Sequence, residues 1–356
     1  MHSKNPHILA IDQFAQGRNQ FDAIIDVRSP AEFALDHIPG SINFPVLNNE
    51  ERAQIGTLYK QVSPFAAKKL GAAIVARNIA YHLEKSLLEF PREWRPLIYC
   101  WRGGERSGAF THILNRIGWK AMQLEDGYQG FRRVVIDDLD AAAKQFHFQV
   151  ICGMTGSGKT RILHELQLLG AQVLDLEGLA IHRGSVLGNE PDIEQPSQKG
   201  FETELWNALQ NLDPNKPVFI ESESKKVGGV HIPDSLMEKI RNGLCIELRS
   251  SLPTRVSWLL REYPHFLQNT TQFKEKLGLL TSRYGKVQIA EWFDQIDAGQ
   301  FDALVTDLLV KHYDPAYQSS IVRNFPQYRA DLFVELQDDS DNAFSDASQK
   351  IISKFT

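Results

Sequence analysis

Apolar residues come in short unbroken runs through the first hundred positions, each closed by polar or proline punctuation. "FDAIIDVRS" (21–29) and "RPLIYC" (95–100) have the length and β-branched content of buried strands. Between them Val75, Ile79, Leu83 and Leu87 recur every four residues, which predicts a long amphipathic helix with Ser63 as N-cap and Pro64 in its first turn. "RSGAFTHILNRIGWK" predicts another helix, stopped at Gly118. A second series of runs starts near residue 147: "FHFQVICG", "AQVLDLEG", "KPVFIESE" and "GLCIELR", separated by helical or polar segments.

This alternation predicts an α/β protein built on mostly parallel sheets. The pattern divides it into an α/β domain over 8–137, a second α/β domain over 147–330 with a helical, basic C-terminal part, and an acidic end over 331–356. "DDLDAAAKQFH" (137–147) reads as the boundary, and "ELQDDSDNAFSDASQ" as a mobile end.

With 356 residues and 42% hydrophobic content the chain has material for two or three domains. No apolar run approaches the roughly 20 residues that span a bilayer, and the start lacks the apolar segment of a secretory signal. A cytoplasmic protein with no membrane partner is expected. Three cysteines without a CxxC pair argue against a disulfide framework and a structural zinc site. A net charge of −5 means that an RNA partner would need a local basic face.

The strongest chemical signal is a full G-x-x-x-x-G-K-[ST] match between a predicted strand and a predicted helix. Gly153, Thr155, Gly156, Ser157 and Gly158 turn their amides around phosphate oxygens, Lys159 adds a charge, and Thr160 reaches a metal or a phosphate oxygen. This is a cradle for a diphosphate. Nucleotide hydrolysis normally wants an aspartate after the next apolar strand. "VFIESES" supplies Glu221 and Glu223 instead, a pair that leaves room for Mg²⁺ while leaving the diphosphate's identity open. "DLEGLAIHRGSVLG" (175–188) gathers Glu177, His182, Arg183 and Ser185 at the carboxyl end of a strand, where side chains face a ligand crevice, with His182 as candidate general base.

A second anion site is written around Cys100. Trp101, Arg102, Gly103, Gly104, Arg106 and Ser107 follow it, with a glycine pair bracketed by arginines and a helix beginning near Ser107. A thiolate is the reactive form of cysteine, and both neighbours favour it. Cys152 and Cys245 sit inside apolar runs and read as core.

"DVRSPAEFALDHIPGSINFP" (26–45) resembles the signature of the rhodanese superfamily, whose α/β domain carries sulfur or selenium on a loop cysteine. The Cys100-x-x-x-x-x-Arg106 spacing is shared with dual-specificity-type phosphatases of that fold, so length alone leaves both open. A rhodanese-like half followed by a P-loop NTPase-like half is similar to the tRNA 2-selenouridine synthase family. The likeness extends through "YCWRGGERSG", "LEDGYQGFRR", "ESESKKVGGVHIP" and "HYDPAYQSS".

That resemblance implies a transferase acting on wobble 2-thiouridine of tRNA, which geranylates the sulfur with geranyl diphosphate and then installs selenium from selenophosphate. It makes Cys100 the selenium-bearing nucleophile, with no tightly bound cofactor. The implied partners are the tRNA anticodon loop, the two small co-substrates, and an enzyme that supplies selenophosphate in a transient encounter. Two positions depart from the family pattern: Glu105 inside the anion loop, and Asp126 where glycine is expected.

Residues 225–286 carry eleven Lys or Arg against five Asp or Glu. Lys225, Lys226, Arg249, Arg255, Arg261, Arg283 and Lys286, interleaved with aromatic residues, form the candidate tRNA face, which Arg132 and Arg133 would extend. Two other function classes fit the same motifs: a P-loop kinase or phosphohydrolase with a rhodanese-like phosphatase module, and a phosphate-sensing adaptor that needs no reactive thiol.

Overall fold

The run "FDAIIDVRS" forms a strand, and it lies beside the strand made by "RPLIYC". In the computed structural model, which describes residues 7–17, 20–185, 188, 193–326, 328–329 and 332–355, the first unit holds five parallel strands. These are β1 (Ile8–Leu9), β2 (Ala23–Asp26), β3 (Ile42–Asn43), β4 (Pro96–Tyr99) and β5 (Met122–Leu124), in the order β1-β5-β4-β2-β3. Every residue of β4 is buried, as a central strand covered on both faces requires. The predicted long helix runs Pro64–His82, with the Ser63 hydroxyl accepting from the Ala66 amide at 3.3 Å, and continues as a π-helical turn, Leu83–Leu87. The helix after Cys100 spans Glu105–Ile117 and ends on left-handed Gly118.

The second unit is built on β6 (Phe148–Cys152), β7 (Gln172–Leu174), β8 (Val218–Glu221), a small antiparallel pair β9 (Lys226–Val227) and β10 (Val230–His231), then β11 (Leu244–Ser250) and β12 (Phe333–Leu336). Its five-stranded sheet runs β12-β11-β6-β8-β7, parallel throughout. β6 is central, so the glycine loop that follows it opens at the carboxyl edge of the sheet, where ligands of such folds bind.

The two units divide the chain as 1–138 with 197–207, and 139–196 with 208–356. The excursion of 197–207 into the first unit has no counterpart in the sequence reading. Its anchor is Thr203, whose hydroxyl donates to Asp36 at 3.1 Å and accepts from Arg132.

The end of the chain corrects the expectation of a mobile acidic tail. β12 pairs with β11, and the helix Asp341–Ile352 lays Phe344, Ala347 and Ile351 against Ile162, Leu163 and Leu166. Those three apolar residues recur at helical spacing, so acidic composition conceals one apolar stripe. Ser340 caps this helix through the Ala343 amide at 3.3 Å. The helices after 251 likewise enclose a core of their own around Trp292, Phe266, Phe273 and Leu277. Among the described residues no helix is long and apolar enough to cross a membrane.

Candidate functional site

The P-loop is built where its motif lies. Gly153, Gly156 and Gly158 have φ of 157°, 80° and 78°, a backbone that side-chain-bearing residues rarely adopt. Gly158 also has no room: a Cβ there would overlap the ring of Phe344. The helix Lys159–Leu168 starts at the loop and aims its first amides into a cleft of about 600 Å³. Lys159 bends back so that Nζ donates to the Gly153 carbonyl at 3.0 Å, within the loop that an anion would occupy.

Residues of the 175–188 and 221–224 segments form the facing wall. Glu177, Glu221 and Glu223 bring carboxylate oxygens within 4.8 Å of one another, and Thr160 Oγ1 donates to Glu177 at 3.3 Å. Pairing of Leu174 with Ile220 across β7 and β8 sets two of these side chains together. Burial and mutual repulsion push the carboxyls up, Glu177 and Glu221 to about 8 and Glu223 to about 7. One buried oxygen of Glu221 has no hydrogen-bond partner. These donors suit a divalent cation with oxygen ligands, which would replace the retained protons.

The same carboxyls make the metal-free protein pH-sensitive. In the unfolded chain a glutamate ionises near 4.3, whereas in the fold these stay protonated toward 8. Folding therefore retains protons over that window, and stability falls as pH rises through it, by about 1.4 kcal/mol per unit for each such group. The melting temperature measured in chelator should drop from pH 5.5 to pH 8, and Glu221→Gln should flatten the slope; equal slopes in both proteins would refute this.

Arg183 and Ser185 line the cleft, but His182 does not. His182 is buried, and its Nδ1 accepts from the Gly184 amide at 3.1 Å, so the proposed general base is instead a brace for this loop. Val186 and Leu187 lie outside the described residues.

The candidate tRNA face also needs correction. Arg255 is 4% exposed: it donates to both oxygens of Asp314 and, through Nε, to the Thr155 carbonyl at 2.8 Å. It is a strut beneath the P-loop rather than a surface cation. Arg132 is buried against Thr203 and Glu202. Arg133, Lys225, Lys226, Arg249, Arg261, Arg283 and Lys286 retain side chains at the surface. Arg133, Lys225, Arg249 and Arg261 are matched there by Asp126, Asp234, Glu247 and Asp339.

In the first unit Cys100 stands at the end of β4 and is 4% exposed, its Sγ accepting from the Ser107 hydroxyl at 3.1 Å. The loop above it is pinned by its carbonyls. Cys100 and Trp101 accept from the amides of Tyr128 and Gln129 at 2.8 and 3.0 Å, and Gln123 donates to the carbonyls of Gly103 and Gly104. Among the described residues no protein acceptor takes the amides of 101 to 104, which leaves them for an anion. Gly103, at φ 62°, has the Leu124 carbonyl where a Cβ would go.

Arg102 is exposed and reaches Gln129 at 3.0 Å; Arg106 is drawn into an ion pair with Glu32 at 2.8 Å. The Arg106 guanidinium holds the Glu32 carboxyl down at about 2, against the opposing effect of burial. Arg106 thus fixes the start of its helix to the "DVRSPAEF" segment. Glu105 is exposed at the helix start, and Asp126 holds φ 57°, the conformation for which glycine was expected there.

Sequence comparisons bear on both units. The rhodanese-like domain family matches residues 10–133, and the tRNA 2-selenouridine synthase AAA domain matches 146–288. A tRNA 2-selenouridine synthase from Nitrosomonas europaea is 39% identical over 244 residues, 67% of this chain and 63% of that protein, so the chain spans less than two thirds of the length of this relative. One from Alcanivorax borkumensis is 32% identical over 332 residues, covering 84% of this chain and 90% of the relative, and one from Shewanella halifaxensis is 32% identical over 84% and 88%. With both domains matched in order and relatives aligned nearly end to end, this chain belongs to the tRNA 2-selenouridine synthase family.

Proposed function

We propose that this protein converts wobble 2-thiouridine of tRNA to 2-selenouridine through S-geranyl-2-thiouridine. In the first step the uridine sulfur attacks C1 of geranyl diphosphate, the C–O bond breaks, pyrophosphate leaves and N3 gives up its proton. The P-loop amides and Lys159 would stabilise charge growing on the leaving oxygens. Thr160 with Glu177, Glu221 and Glu223 are the groups that would hold Mg²⁺, which neutralises diphosphate charge when bound.

In the second step selenium from selenophosphate adds at C2, geranyl thiolate departs, and the phosphoryl group passes to water as phosphate. The open amides of 101 to 104 suit the phosphoryl oxygens, and the Cys100 thiol would hold the selenium through a hydrogen bond, forming no S–Se bond, as it attacks C2.

The observation that carries the first step is the diphosphate cradle, in which Gly153, Gly156 and Gly158 hold positive φ and the helix from Lys159 opens onto the cleft. Alkyl transfer with a diphosphate leaving group needs no activated water. Incubation with 2-thiouridine tRNA and geranyl diphosphate should yield S-geranyl-2-thiouridine by nucleoside mass analysis, and added selenophosphate should convert it to 2-selenouridine. ATP turnover without either product would point to the kinase or phosphohydrolase reading instead.

A further inference from the structure

The P-loop cleft does not end at the phosphate cradle. A second, narrow slot of about 60 Å³ opens from it, and the two share Thr155, Ser185, Leu259, Tyr263 and Tyr313 as common wall. Beyond that wall the slot is apolar: Leu260, Phe266, Leu267, Phe273, Val305 and Leu308 line it, from the helices Leu252–Glu262, Pro264–Gln268, Thr270–Gly278 and Phe301–Leu308. Phe266, Phe273 and Leu308 are also members of the core of this helical region, so the slot is cut into packed structure and its walls are firm.

A slot of this shape says what its occupant is. Its apolar depth offers no polar side chain to read a nucleobase, and its volume of about 60 Å³ is small for a purine. The molecule that fills both spaces has a diphosphate head and a short apolar tail. We propose that this slot is the tail site of the prenyl diphosphate, that it takes the terminal isoprene unit, and that Val305 and Leu267 set the accepted chain length. The inference rests on the geranyl-transfer reading above and adds to it the residues that select the substrate.

Binding separates the two parts. Calorimetry with inorganic pyrophosphate and with geranyl diphosphate should show at least tenfold tighter binding of the prenylated ligand to the unaltered protein. Val305→Trp fills the slot and should bring geranyl diphosphate down to the affinity of pyrophosphate, leaving pyrophosphate binding unchanged, which also shows that the P-loop unit is folded. Leu267→Ala widens the slot and should shift the preference from geranyl toward farnesyl diphosphate by about tenfold.

If Val305→Trp keeps the full geranyl preference, or Leu267→Ala leaves chain-length preference unmoved, the slot is not the tail site, although geranyl transfer stands. If the unaltered protein binds pyrophosphate and gains nothing from the geranyl group, the tail site is overturned. Absence of geranyl transfer to tRNA despite that gain overturns the reaction and leaves the prenyl slot in place.

Discussion

Lys159→Ala will slow geranyl transfer by about a hundred- to a thousandfold, the usual cost of removing one group that stabilises charge formed in a transition state, and the recovered tRNA will still carry 2-thiouridine. Lys159 has the geometry for this role. Its Nζ rests on the Gly153 carbonyl at 3.0 Å, and a diphosphate seated on the loop would draw it over the bridging and terminal oxygens. Cys100→Ser should give the opposite profile. Ser107 and the Gln123-pinned loop remain, the anion site persists, and S-geranyl-2-thiouridine accumulates because no thiol handles selenium. Nucleoside mass analysis of both variants decides the assignment. If both stop at the same nucleoside, the two units do not divide the reaction as proposed. An unimpaired Lys159→Ala protein would remove the P-loop from the first step.

Much of this was legible because it is encoded in contiguous residues. The G-x-x-x-x-G-K-[ST] run needs only its own backbone and the strand and helix beside it, and the strands β2 and β4 announce themselves as short apolar runs, buried at every position but Ala23. What remained hidden depends on partners far along the chain. Arg255 contributes to an apparent basic face until Asp314, 59 residues later, draws it under the loop. Arg132 is claimed in the same way by Glu202 and Thr203. Charge counted along a sequence does not distinguish a solvated cation from a buried strut; only the position of its counter-charge does.

The carboxyl cluster shows the intermediate case. Glu177, Glu221 and Glu223 could each be singled out by position after a strand, but the upward push on their carboxyls comes from burial and from the closeness of two strand ends, neither of which is written in the local sequence. The C-terminal helix shows the converse. Its stripe of Phe344, Ala347 and Ile351 was present in the sequence and masked by the acidic residues around it. Its packing also explains Gly158 beyond phosphate access, because the same Cα that must approach an anion on one side touches Phe344 on the other.

Arg28→Met should destabilise the first unit by about 3–5 kcal/mol, the cost of leaving a buried charge without its partner. Asp26 is fully enclosed and Arg28 is 1% exposed. Arg28 Nε reaches Asp26 Oδ1 and Oδ2 at 3.1 and 2.9 Å, Nη2 reaches Oδ2 at 2.6 Å, and Nη2 also donates to the Asp36 carbonyl at 2.7 Å. The guanidinium lies 4.0 Å over the Tyr128 ring, whose own amide holds the Cys100 carbonyl. Methionine fills much of the volume but abandons the carboxylate. Lysine would keep the charge and lose the fork, so Arg28→Lys should recover only part of the loss. Because the penalty comes from the orphaned carboxylate, the double variant Asp26→Asn with Arg28→Met should cost less than the sum of the single changes. Urea unfolding of the unaltered protein, the three single variants Arg28→Met, Arg28→Lys and Asp26→Asn, and the double variant, followed by fluorescence, measures this. Strict additivity would mean that the pair is not coupled, and a loss for Arg28→Met under about 1 kcal/mol would place it among ordinary surface ion pairs. Since β2 pairs with β4 through Asp26 and Tyr99, the residue before Cys100, the same variant should also raise the rate at which Cys100 reacts with a thiol reagent as the loop loosens.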